Sequence, residues 1–422
     1  MKARLLILLD AVRSSYWFIP SLMLAGSAAL AVGLVMLDQH VDSERLRGLW
    51  WIFSGGAEGA RALLSTVAGS VIAVAGTTFS ITIAVLSLTS SQFGPRLLRG
   101  FLRDRANQFV LGTFVATFLY CLLVLRMVRS VEEALFVPHI AVTGGVVLAV
   151  ASVCVLIFFI HHVSVSIQAS RIIANVAKEL EEAIDRLFPD RIGNEPSPPV
   201  SSALPSERQE EKGCSVRTHA SGYVQAVEGD DLLALAEEKN LRLTLRHTPG
   251  QFVMRGGVIA HVTAPVAAPG TLDEDTVKRV RAAFRLGEQR TAAQDVEFLV
   301  LELVEVAVRA LSPGINDPFT AILCLDRLSA ALCHLAGRAF PSALRYDAQG
   351  ALRVIAPPAT FAGMVEIAFR EIRHYGNDDP AVAMRLRQAI QEIEECASTE
   401  ERHAVLRMEA ARLSGEAAHV LP

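Results

Sequence analysis

Charge is what the first part of this chain lacks. No Asp, Glu, Lys or Arg occurs from Ala62 to Pro95, and three further stretches before residue 165 are nearly as bare. Over 422 residues only 20% are charged, 51% are hydrophobic, and mean hydropathy is +0.36. Aromatics are scarce at 6%, so the apolar weight comes from Ala, Val, Leu and Ile. This pattern excludes a wholly soluble enzyme and a disordered chain. The charged second half excludes a chain that is membrane throughout. The net charge of -4 gives no reason to expect a nucleic-acid partner. The six cysteines form no CxxC and no Cys/His zinc spacing, so neither a disulfide framework nor a metal is expected. No phosphate loop, GxGxxG turn, HExxH or GxSxG is present, so no cofactor and no catalytic residue are expected.

A bilayer crossing needs roughly 20 apolar residues. Four stretches meet this, near residues 17–37, 62–93, 106–125 and 135–160. They define an expected transmembrane domain over 1–165. Residues 2–15 read as an amphipathic lead-in, because Asp10 and Arg13 interrupt the apolar run that a signal peptide would need. Lys and Arg in the short loops favour the side holding both termini, which places those termini in the cytoplasm.

The second stretch is unusual. It is too long for one upright crossing and carries many small and hydroxylated residues. Two readings compete: a central packing helix whose hydroxyls bond their own backbone, or a helix lining a polar pathway in a homo-oligomer. Candidate pathway residues are Thr78, Ser80, Thr82, Thr89 and Gln92, with the three threonines on one face. Gly94-Pro95 ends the helix, and Arg96, Arg99, Arg103 and Arg105 form an expected basic rim. The spans carry no Asp, Glu or Lys, which disfavours a proton-coupled carrier. His139, His161 and His162 lack a carboxylate or Cys neighbour in sequence and read as interfacial.

Beyond the membrane half, residues 166–188 read as an amphipathic helix and 189–213 as a Pro-, Ser- and Glu-rich linker. Residues 214–265 alternate like strands between glycine turns and suggest a small β-barrel-like unit. Residues 266–422 read as mainly helical. Within them, Leu311-Ser312-Pro313-Gly314-Ile315-Asn316-Asp317-Pro318 breaks one helix and starts another. Asp317 is the expected N-cap and Pro318 the first helical residue. The bland reading is a rigid corner; the alternative is that Asn316 and Asp317 reach a partner, an ion or the membrane-side loops. The fold class expected is therefore an α-helical bundle of four transmembrane helices followed by an α+β cytoplasmic region.

Three segments carry a resemblance: Phe79 to Arg96, the Gln294-Asp295 pair, and Ala310 to Ala321. On these the chain resembles the bacterial predicted membrane proteins called domain of unknown function 2254, from about residue 5 to 410. The resemblance implies a bacterial inner-membrane protein and brings no activity or catalytic residue with it. The expected partners are the lipid bilayer, further copies of the chain and an unidentified protein. Two functions follow as expectations: a homo-oligomeric channel-like protein with a cytoplasmic gating domain, or a membrane-anchored scaffold or sensor acting through 214–422.

Overall fold

The computed structural model describes residues 17–40, 53–94, 104–131, 134–166, 168–188, 213–263, 272–357 and 359–414. The lead-in at 2–15, nearly all of the 189–213 linker, and Arg96, Arg99 and Arg103 lie outside them. The chain divides into two compact units, Met1–Ile172 and Ile173–Pro422.

The first unit holds α1 (Phe18–His40), α2 (Ala57–Phe93), α3 (Arg105–Met127) and α4 (His139–Ser166). An antiparallel hairpin, β1 (Arg129–Val131) and β2 (Ala134–Phe136), separates α3 from α4. That hairpin takes up the start of the stretch expected to span from 135. Helix α3 is the most enclosed, with Val110, Phe114, Tyr120 and Val124 at 0–1% exposure. Large apolar residues on α1 and α4, such as Leu22, Met36, Val147 and Ile157, stay exposed within the protomer, as lipid-facing positions do. At 37 residues, α2 is about 55 Å long, well beyond a hydrocarbon core of about 30 Å.

The second unit begins within α5 (Ala169–Leu187), an amphipathic helix burying Ile173, Val176, Leu180 and Ile184. Next come β3 (Cys214–Arg217), β4 (Gly222–Val227), α6 (Gly229–Glu238), β5 (Arg242–Leu245), β6 (Phe252–Val253) and β7 (Val258–Thr263). They are followed by α7 (Glu274–Ala283), β8 (Phe284–Gly287), α8 (Val296–Ala310), α9 (Pro318–Ala336), β9 (Leu344–Tyr346) and β10 (Leu352–Ile355). Helices α10 (Phe361–Gly376), α11 (Pro380–Cys396) and α12 (Glu400–Ser414) complete the described chain.

Two expectations are corrected here. Among the described residues the strands form no closed barrel. They form a five-stranded sheet, β3-β7-β5-β10-β9, and a three-stranded sheet, β6-β4-β8. The alternation in β5 marks a half-buried strand equally well in a sheet or a barrel. What opens the structure is β10, about 110 residues on, which pairs with β5 in parallel. The sheet thus takes strands from both sides of residue 265. The count of four crossing helices is not matched either: among the described residues five helices are long and apolar enough, the fifth being α9 in the second unit. An interior helix must also be apolar, and α9 buries Ala321, Cys324, Leu325, Leu328 and Leu332.

Candidate functional site

Helix α2 carries two stripes, each advancing by alternate steps of four and three residues. Leu64, Ala68, Val71, Ala75, Thr78, Thr82, Val85 and Thr89 are buried. Thr66, Ser70, Ala73, Thr77, Ser80, Ala84, Ser87 and Ser91 are exposed and all small. Two positions along a helix is about 200°, so the stripes lie on opposite faces. The five expected pathway residues therefore divide. Thr78, Thr82 and Thr89 share a face, as their spacing requires, but that face packs into the protomer. Val71, Ala75 and Val85 on the same stripe join Phe114 of α3 and Phe159 of α4 in one core. Ser80 and Gln92 point outward. Hydroxyls on both faces bond their own helix: Thr66 donates to Ala62 O at 2.7 Å, Ser80 to Gly76 O at 2.9 Å and Thr82 to Thr78 O at 2.9 Å. Gly94, at φ 105°, ends the helix by donating its N–H to Ser90 O.

Of the expected basic rim, Arg105 is described, exposed at the start of α3. Its neighbour Asp104 caps α3 by accepting from Ala106 N and lies 2.5 Å from His162 Nε2 of α4. His162, which has no carboxylate at ligand spacing in sequence, is thus given one by the fold. The two residues are 58 positions apart, and no local spacing could pair them. The side-chain amide of the buried Asn107, one turn on, has no partner among the described residues.

The corner at 312–318 is built from its own bonds. Ser312 Oγ donates to Arg309 O, and Asn316 N and Ile315 N both donate to Ser312 O. Asn316 adopts φ 50°. Asp317 accepts from Thr320 N and Thr320 Oγ1, capping α9 with Pro318 at its start. Pro313 and Gly314 fall in the intervening turn. Asn316 is exposed beside two large apolar groups, Ile315 and Phe319, the latter at 82% exposure. Asp317→Ala should lower stability by about 1 kcal/mol. Phe319→Ser should change it by less than about 0.5 kcal/mol. Chemical denaturation compares them, and equal losses would contradict this division of roles.

The second unit also holds a cleft of about 400 Å³ that no linear motif announced. Its walls include Leu187, Phe188, Leu233, Leu245, Val354 and Met364. Its polar lining comprises Asp230, His247, Thr248, Gln294, Asp295, Glu297 and Arg345. Several of these are committed. Asp295 is 4% exposed, caps α8 through Phe298 N, and receives two bonds from Arg290 at 2.7 and 2.9 Å. Gly250 lies against that carboxylate at φ +92°; a Cβ there would sit 2.3 Å from Asp295 Oδ2. Gln294 Oε1 accepts from Val227 N at 2.9 Å while its Nε2 donates to Val227 O. Arg345 donates to its own turn at Ser342 and Leu344.

Two lining groups are electrostatically perturbed. Burial holds His247 below the ordinary imidazole range, despite its bond to the Val258 backbone. Its Nδ1 is buried without a partner. Burial, with the Asp295 charge second, pushes the Glu297 carboxyl up, while Arg290 opposes. A carboxyl raised on folding loses stability as pH climbs from its unfolded toward its folded value. Glu297→Gln should therefore raise Tm at pH 7 and have little effect near pH 4. Melting across that interval tests it, and a variant less stable at pH 7 would reverse the sign.

A long apolar bundle joined to a mixed α/β and helical unit defines a membrane-protein class. The chain belongs to the family described as predicted membrane protein, DUF2254, whose model matches residues 13–392. An uncharacterized protein of Mycobacterium bovis is 34% identical over 406 residues, covering 94% of this chain and 75% of the relative. An uncharacterized protein of Mycobacterium tuberculosis matches with the same identity and coverage. No solved structure matches.

Proposed function

We propose that this is a multi-pass protein of the bacterial inner membrane whose protomers assemble along α2 and enclose a polar pathway. Four helices, α1 to α4, cross the bilayer, both termini are cytoplasmic, and α9 is a core helix of the second unit. The observation that carries the reading is the exposed small-residue stripe of α2, about seven turns long and opposite the packed face. Small residues let helices of neighbouring copies approach closely, and each hydroxyl keeps acceptor capacity after bonding its own backbone. Large apolar residues flank the stripe, including Ile72, Phe79, Ile83 and Leu88, and suit contact with lipid or a second copy. The second unit acts as an assembly or gating domain, and the role is non-enzymatic.

Planar-bilayer recording with Ser80→Leu and Thr82→Leu tests the proposal. Ser80→Leu should change unitary current at least severalfold or abolish assembly, with the protomer still folded. Thr82→Leu should instead destabilise the protomer, because its face is already packed. A strictly monomeric protein in native-like lipid would sink the idea.

A second reading, a membrane-anchored scaffold binding a protein through 214–422, draws on the exposed Ile315 and Phe319. It calls for a specific crosslinked partner that Phe319→Ser loses, with no ion flux in liposomes.

A further inference from the structure

We propose that Cys333 and Cys396 form a reversible thiol–disulfide pair, oxidised by hydrogen peroxide or a small alkyl hydroperoxide, that cross-links the ends of α9 and α11. The inference concerns the second unit alone and stands independently of the pathway reading.

The two cysteines are 63 positions apart, a spacing that no cysteine motif announces. The fold brings them together by running α9 and α11 side by side in one direction. Arg385 Nε of α11 donates to Asp326 Oδ1 of α9 at 2.5 Å. Further along, Ser329 Oγ donates to Glu392 Oε2 at 2.9 Å. Four residues on, one turn along each helix, come Cys333 and Cys396. Cys333 Sγ donates to Glu392 O at 3.4 Å and is also hydrogen-bonded to the Cys396 thiol. Just beyond the pair, Ser398 Oγ donates to Ala336 O at 3.3 Å, and Arg402 Nη1 donates to the same carbonyl. The two sulfurs thus lie between ties that hold both backbones. A disulfide tolerates only a narrow range of backbone separations, so a pair held from both sides is favoured over other pairings.

The two sulfurs differ in the way a stepwise oxidation uses. Cys396 is exposed and Cys333 is half-buried. Burial, and then the hydrogen bond to Cys396, push the Cys333 thiol well above the ordinary range. Cys333 therefore keeps its proton, and Cys396 is the sulfur that reacts first. The Cys396 thiolate attacks one peroxide oxygen. The O–O bond breaks, hydroxide leaves, and Cys396 becomes a sulfenic acid. That hydroxide takes the proton Cys396 gave up. Cys333 then attacks the sulfenic sulfur. The S–S bond forms, the S–O bond breaks, and the departing hydroxide leaves as water with the Cys333 proton. The two thiols lose two electrons, and one peroxide becomes two waters. A dithiol reverses the bond by exchange. The charges of Glu392 and Glu395 act on Cys333. They repel an anionic oxidant, so an uncharged peroxide suits the pair better than a carboxylate-bearing disulfide.

The test treats the full-length protein in lipid nanodiscs with hydrogen peroxide, alkylates the remaining thiols and reads the products by peptide mass spectrometry. The main disulfide should join Cys333 to Cys396 within one chain, and dithiothreitol should remove it. Oxidation should raise Tm by about 4 °C or more, as a new cross-link between helices does. Cys333→Ser should leave a sulfenic acid at Cys396 that dimedone captures. Cys396→Ser should label Cys333 about tenfold less, because the half-buried thiol is the poorer nucleophile. In urea the Cys333–Cys396 bond should become one product among several. Absence of this disulfide from the oxidised folded protein overturns the proposal, as does an abundance no greater than that of other pairings. So does a Tm lowered by oxidation, or equal dimedone labelling of the two single variants. The first arm uses the unsubstituted protein, so it holds even if a serine variant fails to fold.

Discussion

Replacing Asp295 by alanine is expected to destabilise the second unit by about 3–5 kcal/mol, the range for breaking a buried ion pair. Three losses coincide at this carboxylate. Arg290, itself only 18% exposed at the side chain, loses a bidentate partner. Phe298 N, at the start of α8, loses its cap. The Gly250 turn, whose backbone is shaped against the carboxylate, loses its support. Asp295→Asn should recover part of the loss, since an amide oxygen still caps α8 but no longer neutralises Arg290. Gly250→Ala should also destabilise, by positive-φ strain and by displacing the carboxylate. The two effects should be strongly non-additive because they act on one anchor. Chemical denaturation of the single and double variants measures this. A loss for Asp295→Ala below about 1 kcal/mol would mean that the anchor is dispensable.

The second large effect is expected at Asp38, near the end of α1. Its two carboxylate oxygens accept from Ile140 N and Ala141 N, each at 2.9 Å, at the start of α4. The side chain is buried, and neighbouring residues reinforce the same joint. Tyr120 Oη donates to Ala141 O at 2.8 Å, and His139 Nδ1 lies 2.7 Å from Phe53 O. Asp38→Ala leaves two buried N–H groups at a helix N-terminus without acceptors, in surroundings that admit little water. The expected loss is about 2–4 kcal/mol. Asp38→Asn, keeping one acceptor, should lose about half as much. Thermal unfolding in nanodiscs, followed by the accessibility of the buried Cys121 to a thiol reagent, reads the change in the first unit. An Asp38→Ala protein with unaltered melting and a still-protected Cys121 would contradict the account.

Much of the architecture was legible in the residues. The hydropathy runs place α1 to α4 within a few positions, because a bilayer crossing demands an uninterrupted apolar length. Asp273, Asp317 and Asp379 begin helices as N-caps, and Pro318 and Pro380 occupy first turns. The corner at 312–318 is rigid for reasons readable in its Pro, Gly, Asn and Asp. The functional residues were less legible. Periodicity put Thr78, Thr82 and Thr89 on one face of α2 without saying whether that face meets the protomer, lipid or another copy. Both faces are rich in small and hydroxylated residues, so composition could not choose between them. The span without carboxylates stopped at Leu37, one residue short of the buried Asp38.

The sequence by itself determined where the chain is apolar, where its helices start and stop, and to which family it belongs. These properties depend on neighbours within one or two turns or on the composition of a window. Tertiary structure alone decided that β10 pairs with β5, that His162 meets Asp104, that Asp38 caps α4, and that Asp230, His247 and Glu297 line one cleft. Apart from Asp230 and His247, 17 positions apart, each of these joins residues between about 50 and 110 positions apart, a separation at which chain connectivity imposes no preferred contact. Only burial of the shared core selects which distant groups meet.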